Sequence, residues 1–388
     1  MKNVFELDVN PNRTYGLDIL RAAAILFVVL EHSGNLLPPV ANRITNLFVF
    51  DGVSIFFVLS GFLIGGILLR ELHGPIDKYS LLDFWMRRWL RTLPSYFLIL
   101  LLLLAIQYFM GDEANLGLVW RYVLFSQNLI SPHPAFFPEA WSLSVEEWFY
   151  LIIPSTVFLL IYAFKLTPRK AMIWVAITVL VSVTYFRYQR FEWIVIAAEG
   201  DWDVLFRKQV FTRLDSLMYG VIAAHLKHYH QGIWMKHKVK LLIAGVAIFM
   251  VNKFVVPQFA SFNSLYNCVF SFSIVSIGAV ALLPFLDSVK QGAGAVYKGV
   301  TYISLVSYSM YLINLSLVQV LIIGKIPWSD IFSSRYVSVL CSFSLFWLLV
   351  IALSILMYKY FELPVIRLRD KLRIRDSMLM REGSSSKA

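Results

Sequence analysis

The chain has 388 residues, 59% of them hydrophobic and 15% charged, with a mean hydropathy of +0.68; soluble domains carry about 25% charged residues, so an ordinary soluble enzyme is excluded and a polytopic membrane protein is indicated. The net charge of +11 is scattered through loops between apolar runs, which is how membrane topology is set, so nucleic acid is not an expected partner. The two cysteines, Cys268 and Cys341, both fall in apolar runs and support neither a disulfide framework nor a zinc site.

An apolar run of about 20 residues can cross the hydrocarbon as a helix. Such runs are read at 16–36, 47–69, 93–110, 141–164, 171–187, 211–226, 239–257, 266–286, 301–323 and 336–361. The predicted fold is all-α, a polytopic integral membrane bundle of about ten transmembrane helices. Residues 1–14 are polar, and the first run ends in Glu31 and His32 rather than a small-residue cleavage site, so no cleavable leader is expected. The Arg-rich amphipathic segment 80–92 is expected to lie in the interface ahead of the third span. Residues 115–130 are expected to form a re-entrant or interfacial piece, and 187–210 the longest polar loop. Residues 1–366 read as one membrane domain, and 367–388 as a basic cytoplasmic tail, partly disordered. Lys and Arg concentrate in 70–91, 165–170, 227–240 and the tail. With ten spans that side also holds both termini, so both termini are expected in the cytoplasm.

Charged side chains within membrane helices face a bundle interior or a wet cavity and mark function. The first run carries Arg21 and, eleven positions later, His32, roughly 16 Å apart along a helix axis. Arg21 then lies near the cytoplasmic face and His32 near the outer one. A neutral imidazole there can take a proton from a hydroxyl during nucleophilic attack. Asp51, Glu146, Glu147, Arg213 and Asp215 begin runs that enter from outside, so they gather at the depth of His32. Asp51 or Glu146 is expected to orient the imidazole. Adjacent residues cannot share a helix face, so Glu147 should differ in role from Glu146. Glu147 is placed with Trp141, Arg213, Asp215, Tyr308 and Asn314 as a candidate for binding substrate. On the cytoplasmic side Arg87, Arg88 and Arg91 recur at helical spacing. Paired guanidiniums suit phosphates, although the same spacing suits arginines snorkelling beside lipid heads. Ser60-Gly61 reads as helix packing. The group His225, His228, His230 and His237 reads as a solvated loop, and no metal site is expected.

Taken in order, these segments resemble the membrane-bound acyltransferase 3 family. The resemblance rests on Arg21 with His32, Phe56-Phe-Val-Leu-Ser-Gly-Phe-Leu-Ile64, Arg87-Arg-Trp-Leu-Arg91 leading to Pro94, Trp141-Ser-Leu-Ser-Val-Glu-Glu147, and Arg213-Leu-Asp-Ser-Leu-Met-Tyr-Gly220. Ser307-Tyr-Ser-Met-Tyr-Leu312 and Tyr360-Phe-Glu-Leu-Pro364 complete it. It implies an integral, multi-pass protein of the bacterial cytoplasmic (inner) membrane that transfers an acyl group, usually acetyl, from cytosolic acyl-CoA. The acceptor would be a hydroxyl of a glycan such as lipopolysaccharide or exopolysaccharide, and no tightly bound cofactor is implied. In the family the residues most tied to activity match Arg21, His32, Arg88 and Arg91. Two positions depart from the family pattern. Ser54 stands where an acidic residue is frequent, with Asp51 one turn earlier, and Asn314 stands where a histidine is common. The reading that follows is direct transfer, with acyl-CoA phosphates on Arg87, Arg88 and Arg91, Arg21 deeper, and His32 as general base. The rival from another class is a proton-coupled transporter using the same Arg, His and Glu residues as a relay.

Overall fold

The computed structural model describes residues 13–72, 78–111 and 116–371. Among them all regular structure is helical. The principal helices are α1 (Tyr15–Ser33), α2 (Gly52–Leu72), α3 (Lys78–Phe109), α4 (Ala140–Phe164), α5 (Pro168–Trp193), α6 (Leu214–Tyr229), α7 (Lys238–Met250), α8 (Ser271–Ser288), α9 (Gly294–Ile313) and α10 (Arg335–Met357). Each falls on one of the apolar runs read from the sequence. Eight helical segments among the described residues are long and apolar enough to cross a membrane. Two helices fall short of that measure for physical reasons. The 19 residues of α1 include Asp18, Arg21 and Glu31, and α6 has only 16 residues.

The centre of the bundle is the contact of α2 with α6, and α1 packs across α2, α8 and α9. The α2–α6 contact depends on two glycines. A Cβ on Gly61 would sit 1.9 Å from the Leu217 carbonyl oxygen, and one on Gly220 would sit 2.1 Å from that of Val58. Neither distance is possible, so only glycine allows the backbones to approach this closely. Apolar side chains fill the remaining space: Ile25, Val28, Val29, Phe57, Val58, Leu217 and Met218 are almost wholly buried.

The segment 80–92 is not set off from the third span by any break in the helix. It runs into the third span as one 32-residue helix, α3, with Pro94 inside it. Packing against neighbouring helices tolerates the N–H that proline lacks. Residues 116–123 form two short helical pieces, Leu116–Leu118 and Val119–Val123. Tyr122 in the second piece is fully buried, and irregular backbone follows to residue 139, with Gln127 and Asn128 fully buried. The polar loop begins later than its charges suggest, because α5 extends to Trp193 and holds Arg187 inside the bundle. The tail expected from 367 is described only as far as the end of the helix Leu363–Lys371; residues 372–388 lie outside the described residues.

Candidate active site

Two cavities meet inside the bundle. The larger, about 660 Å³, opens where α1 starts and α2, α6 and α8 end. Its basic lining comprises Arg13, Arg21, Arg70, Arg91, Lys227 and His228. Two acids partly offset this charge: Asp18 pairs with Arg13, and Asp287 lies 2.8 Å from Lys227. The smaller cavity, about 100 Å³, lies deeper between α1, α2, α3, α4 and α9. Arg21, Leu63 and Arg91 line both, so vestibule and inner chamber are contiguous at that neck. Arg21 makes no hydrogen bond or ion pair among the described residues, which leaves its guanidinium available to a ligand at the neck.

The inner chamber is organised around Arg88. Its guanidinium lies 4.4 Å from the centre of the Tyr150 ring, donates to the Tyr150 hydroxyl, and donates to Ser60 Oγ at 3.2 Å. Tyr150 in turn donates to Glu146 Oε2 at 2.7 Å. A cation, a phenol and a carboxylate thus form one chain from α3 to α4. The buried Arg88 Nε has no hydrogen-bond partner among the described residues. Glu147 faces elsewhere, as its adjacent position requires. It accepts from Thr92 Oγ1 at 2.9 Å, and Tyr308, which lines the chamber, donates to the Thr92 carbonyl at 2.7 Å. Arg87 lines neither cavity; it pairs with Glu71 at 2.5 Å.

His32 does not line the chamber, whose lining includes Val53, Phe56, Ser142 and Tyr311. Its partner is neither Asp51 nor Glu146 but Asn314, with Nδ1 2.5 Å from Asn314 Oδ1. The Asn314 amide nitrogen donates to the Met310 and Tyr311 carbonyls at 2.9 and 2.8 Å, so its oxygen points at the imidazole. An amide oxygen only accepts, hence Nδ1 carries the proton and Nε2 presents a lone pair. This is the tautomer a general base needs. Gln319 Nε2 donates to the His32 carbonyl at 2.8 Å, so one segment grips both the side chain and the backbone of His32.

The remaining candidates lie in two places. Asp51 accepts from Ser54 N and Oγ at 3.0 and 2.5 Å. It also lines a separate pocket of about 210 Å³ with Trp202, Asn252 and Lys253. Ser54, the residue that departs from the family pattern, therefore joins Asp51 to Arg213, which donates to Ser54 Oγ at 2.6 Å. Arg213 is fully buried, with its guanidinium 4.4 Å from the Phe272 ring centre. Asp215 is held by Arg187 at 2.6 Å, both side chains wholly buried. Trp141 is packed edge-on against Phe57. No group of three or more metal-ligating side chains occurs among the described residues. The sequence did not single out Glu139. It is 2% exposed, and burial pushes its carboxyl up to about 7. One loop residue behaves oppositely: burial pushes the His133 imidazole down to about 3.

A family profile described as an acyltransferase domain matches residues 14–359, nearly the whole bundle. The chain belongs to the acyltransferase 3 family. It is similar to the O-acetyltransferase OatA of Staphylococcus aureus (strain NCTC 8325 / PS 47), 28% identical over 333 residues that cover 78% of this chain and 50% of that protein. It is also similar to a putative O-acetyltransferase of Staphylococcus aureus (strain COL), 25% identical over 344 residues, covering 80% of this chain and 52% of the relative. The acyltransferase 3 chain thus spans about half the length of the curated relatives it matches. No solved structure matches it.

Proposed function

We propose that this acyltransferase 3 protein is a membrane O-acyltransferase that moves an acetyl group from cytosolic acyl-CoA to a hydroxyl of a surface glycan. Ten helices cross the bacterial cytoplasmic membrane in this reading, with both termini in the cytoplasm and the vestibule facing it. The observation that carries the proposal is the contiguity of a basic vestibule with an arginine-lined inner chamber. Few other ligands need both a wide, positively charged mouth and a narrow continuation. The phosphates of the donor occupy the vestibule, where Arg91 and Arg21 meet Arg13, Arg70 and Lys227. The pantetheine arm passes Leu63 into the chamber beside Arg88.

The ring centres of Phe56 and Tyr311 are 6.5 Å apart, too close for a thioester to pass. Rotation of Tyr311 is therefore the movement that joins the chamber to His32. The acceptor hydroxyl arrives from the other face. Nε2 of His32 takes its proton as the oxygen attacks the thioester carbonyl. The carbon–sulfur bond breaks, and the imidazolium proton passes to the departing thiolate, giving the ester and free CoA. The transporter alternative has no support, because the family and the relatives are acyltransferases.

The test is release of CoA from radiolabelled acetyl-CoA, with label appearing on the glycan, by protein in nanodiscs. His32→Ala is expected to abolish transfer while the protein still folds and inserts. Wild-type transfer by that variant overturns the assignment of the base.

A further inference from the structure

We infer that Glu139 is a positioning residue for His32, acting through the π-helical turn that carries Asn314. This rests on the assignment of His32 as base. It identifies what holds the base in place, a task expected from depth along the spans to fall to Asp51 or Glu146.

The helix α9 is regular as far as Ile313. From Asn314 to Ile322 it becomes π-helical. Such wide turns are rare and concentrate at functional sites, because they interrupt the regular ladder of backbone bonds. At this one the ladder is supplemented from outside. Ser316 N–H donates to Glu139 Oε1 at 2.8 Å, and Ser316 Oγ donates to Glu139 Oε2 at 2.5 Å. Both carboxylate oxygens are thus committed to one residue of the wide turn. Glu139 forms no ion pair among the described residues, so its function is not to neutralise a buried cation. It lies directly ahead of α4, on a different part of the chain from the turn it holds. Its backbone carbonyl accepts from the Tyr311 hydroxyl at 3.0 Å, and that hydroxyl is 2.6 Å from Ser142 Oγ.

Two residues of the turn grip His32: Asn314 at Nδ1 and Gln319 at the carbonyl oxygen. The chain of contacts is therefore Glu139, Ser316, the wide turn, Asn314, imidazole. Without the carboxylate the turn can relax towards a regular helix. One residue of relaxation rotates Asn314 away from the imidazole by about 100°, and the tautomer is no longer fixed.

The experiment compares Glu139→Ala, Glu139→Gln and Asn314→Ala in nanodiscs, with steady-state kinetics on acetyl-CoA and thermal stability measured in parallel. Glu139→Ala should lower kcat about 100-fold, the scale of a small misplacement of a reacting group. The KM for acetyl-CoA should stay unchanged, because the donor binds on the far side of the chamber. Glutamine can still accept from the Ser316 N–H and donate to its hydroxyl, so Glu139→Gln should keep kcat within about threefold of wild type. The double variant Glu139→Ala with Asn314→Ala should be no slower than Asn314→Ala alone, because both remove one link. Additive losses, or a Glu139→Ala protein with wild-type kcat, overturn the inference. If Glu139→Ala does not fold, Ser316→Ala carries the test. It removes one of the two bonds and should lower kcat with KM unchanged; a wild-type kcat there overturns the inference equally. A His32→Ala protein of full activity would instead defeat the assignment of the base, a separate failure.

Discussion

The ion pair between Arg187 and Asp215 offers the sharpest test of what the end of the bundle away from the vestibule contributes. Both side chains are wholly buried, 2.6 Å apart, with Ser273 donating to the same carboxylate oxygen at 3.0 Å. Arg213 is fully buried nearby, with Nε and one Nη unpartnered among the described residues. Replacing Asp215 by leucine leaves two guanidiniums without that anion. Opposite charges about 4 Å apart attract by about 4 kcal/mol at an effective dielectric constant of 20. Breaking a buried pair from one side typically destabilises by about 3–5 kcal/mol, and the two figures agree. Removing both charges, as Arg187→Met with Asp215→Leu, takes away the unpaired ion as well as the attraction. The double variant should therefore recover most of the loss. The assay is thermal unfolding in detergent of the wild type, the two single variants and the double variant. If the single losses simply add, the pair is not coupled and the account of this cluster as a structural clamp is wrong. A structural clamp also explains why Arg213 and Asp215 line neither the vestibule nor the chamber.

Three further outcomes follow from the geometry. Leu63→Trp plugs the neck shared by the two cavities and should remove CoA release from acetyl-CoA while leaving the folded yield intact; normal release would show that the donor takes another route. Gly61→Val puts side-chain atoms where the Leu217 carbonyl oxygen lies, so α2 and α6 must separate and monodisperse protein should be lost on size-exclusion chromatography, well beyond the overpacking loss of about 1–3 kcal/mol at an ordinary core site. His133 titrates near 6.5 when unfolded but near 3 when buried in the fold. The unfolded chain therefore takes up a proton that the folded one refuses, and stability falls as pH drops from about 6.5 towards 3. His133→Gln should flatten that limb of a stability-against-pH curve, and an unchanged slope would remove His133 as its source.

The helices were legible because a span must supply a long apolar run, and each of the ten runs carries a helix. The site was legible in its residue types but not in its pairings. Arg21, Arg88 and Arg91, read at cytoplasmic depth, line one cavity system, but Glu146, read at the depth of His32, lines its inner chamber with them instead. Arg87 does not join them, because at one position from Arg88 it turns about 100° away on the same helix, towards Glu71. The partner of His32 was hidden by a sequence separation of 282 residues. Depth alone made Asp51 and Glu146 equally suitable, and only packing decides that Asp51 turns to Ser54 and Glu146 to Tyr150. Glu139 had no signal, since its value lies in a backbone irregularity that no local pattern announces. The same holds for the long α3, where a proline and an arginine-rich start looked like a boundary.

The arginines at the neck and in the chamber have a consequence for the living membrane. A wide aqueous mouth leading into a bundle invites leakage of hydronium and sodium, which would drain the gradient on which the cell depends. Arg21 and Arg91 at the neck and Arg88 in the chamber place three fixed positive charges on that route. Fixed cations of this kind raise the electrostatic barrier to permeating cations, as they do in water-selective pores. On the proposed reading, the groups that draw in an anionic donor would also insulate the bilayer, and a substitution that neutralised them would be expected to make the membrane leaky as well as the protein idle.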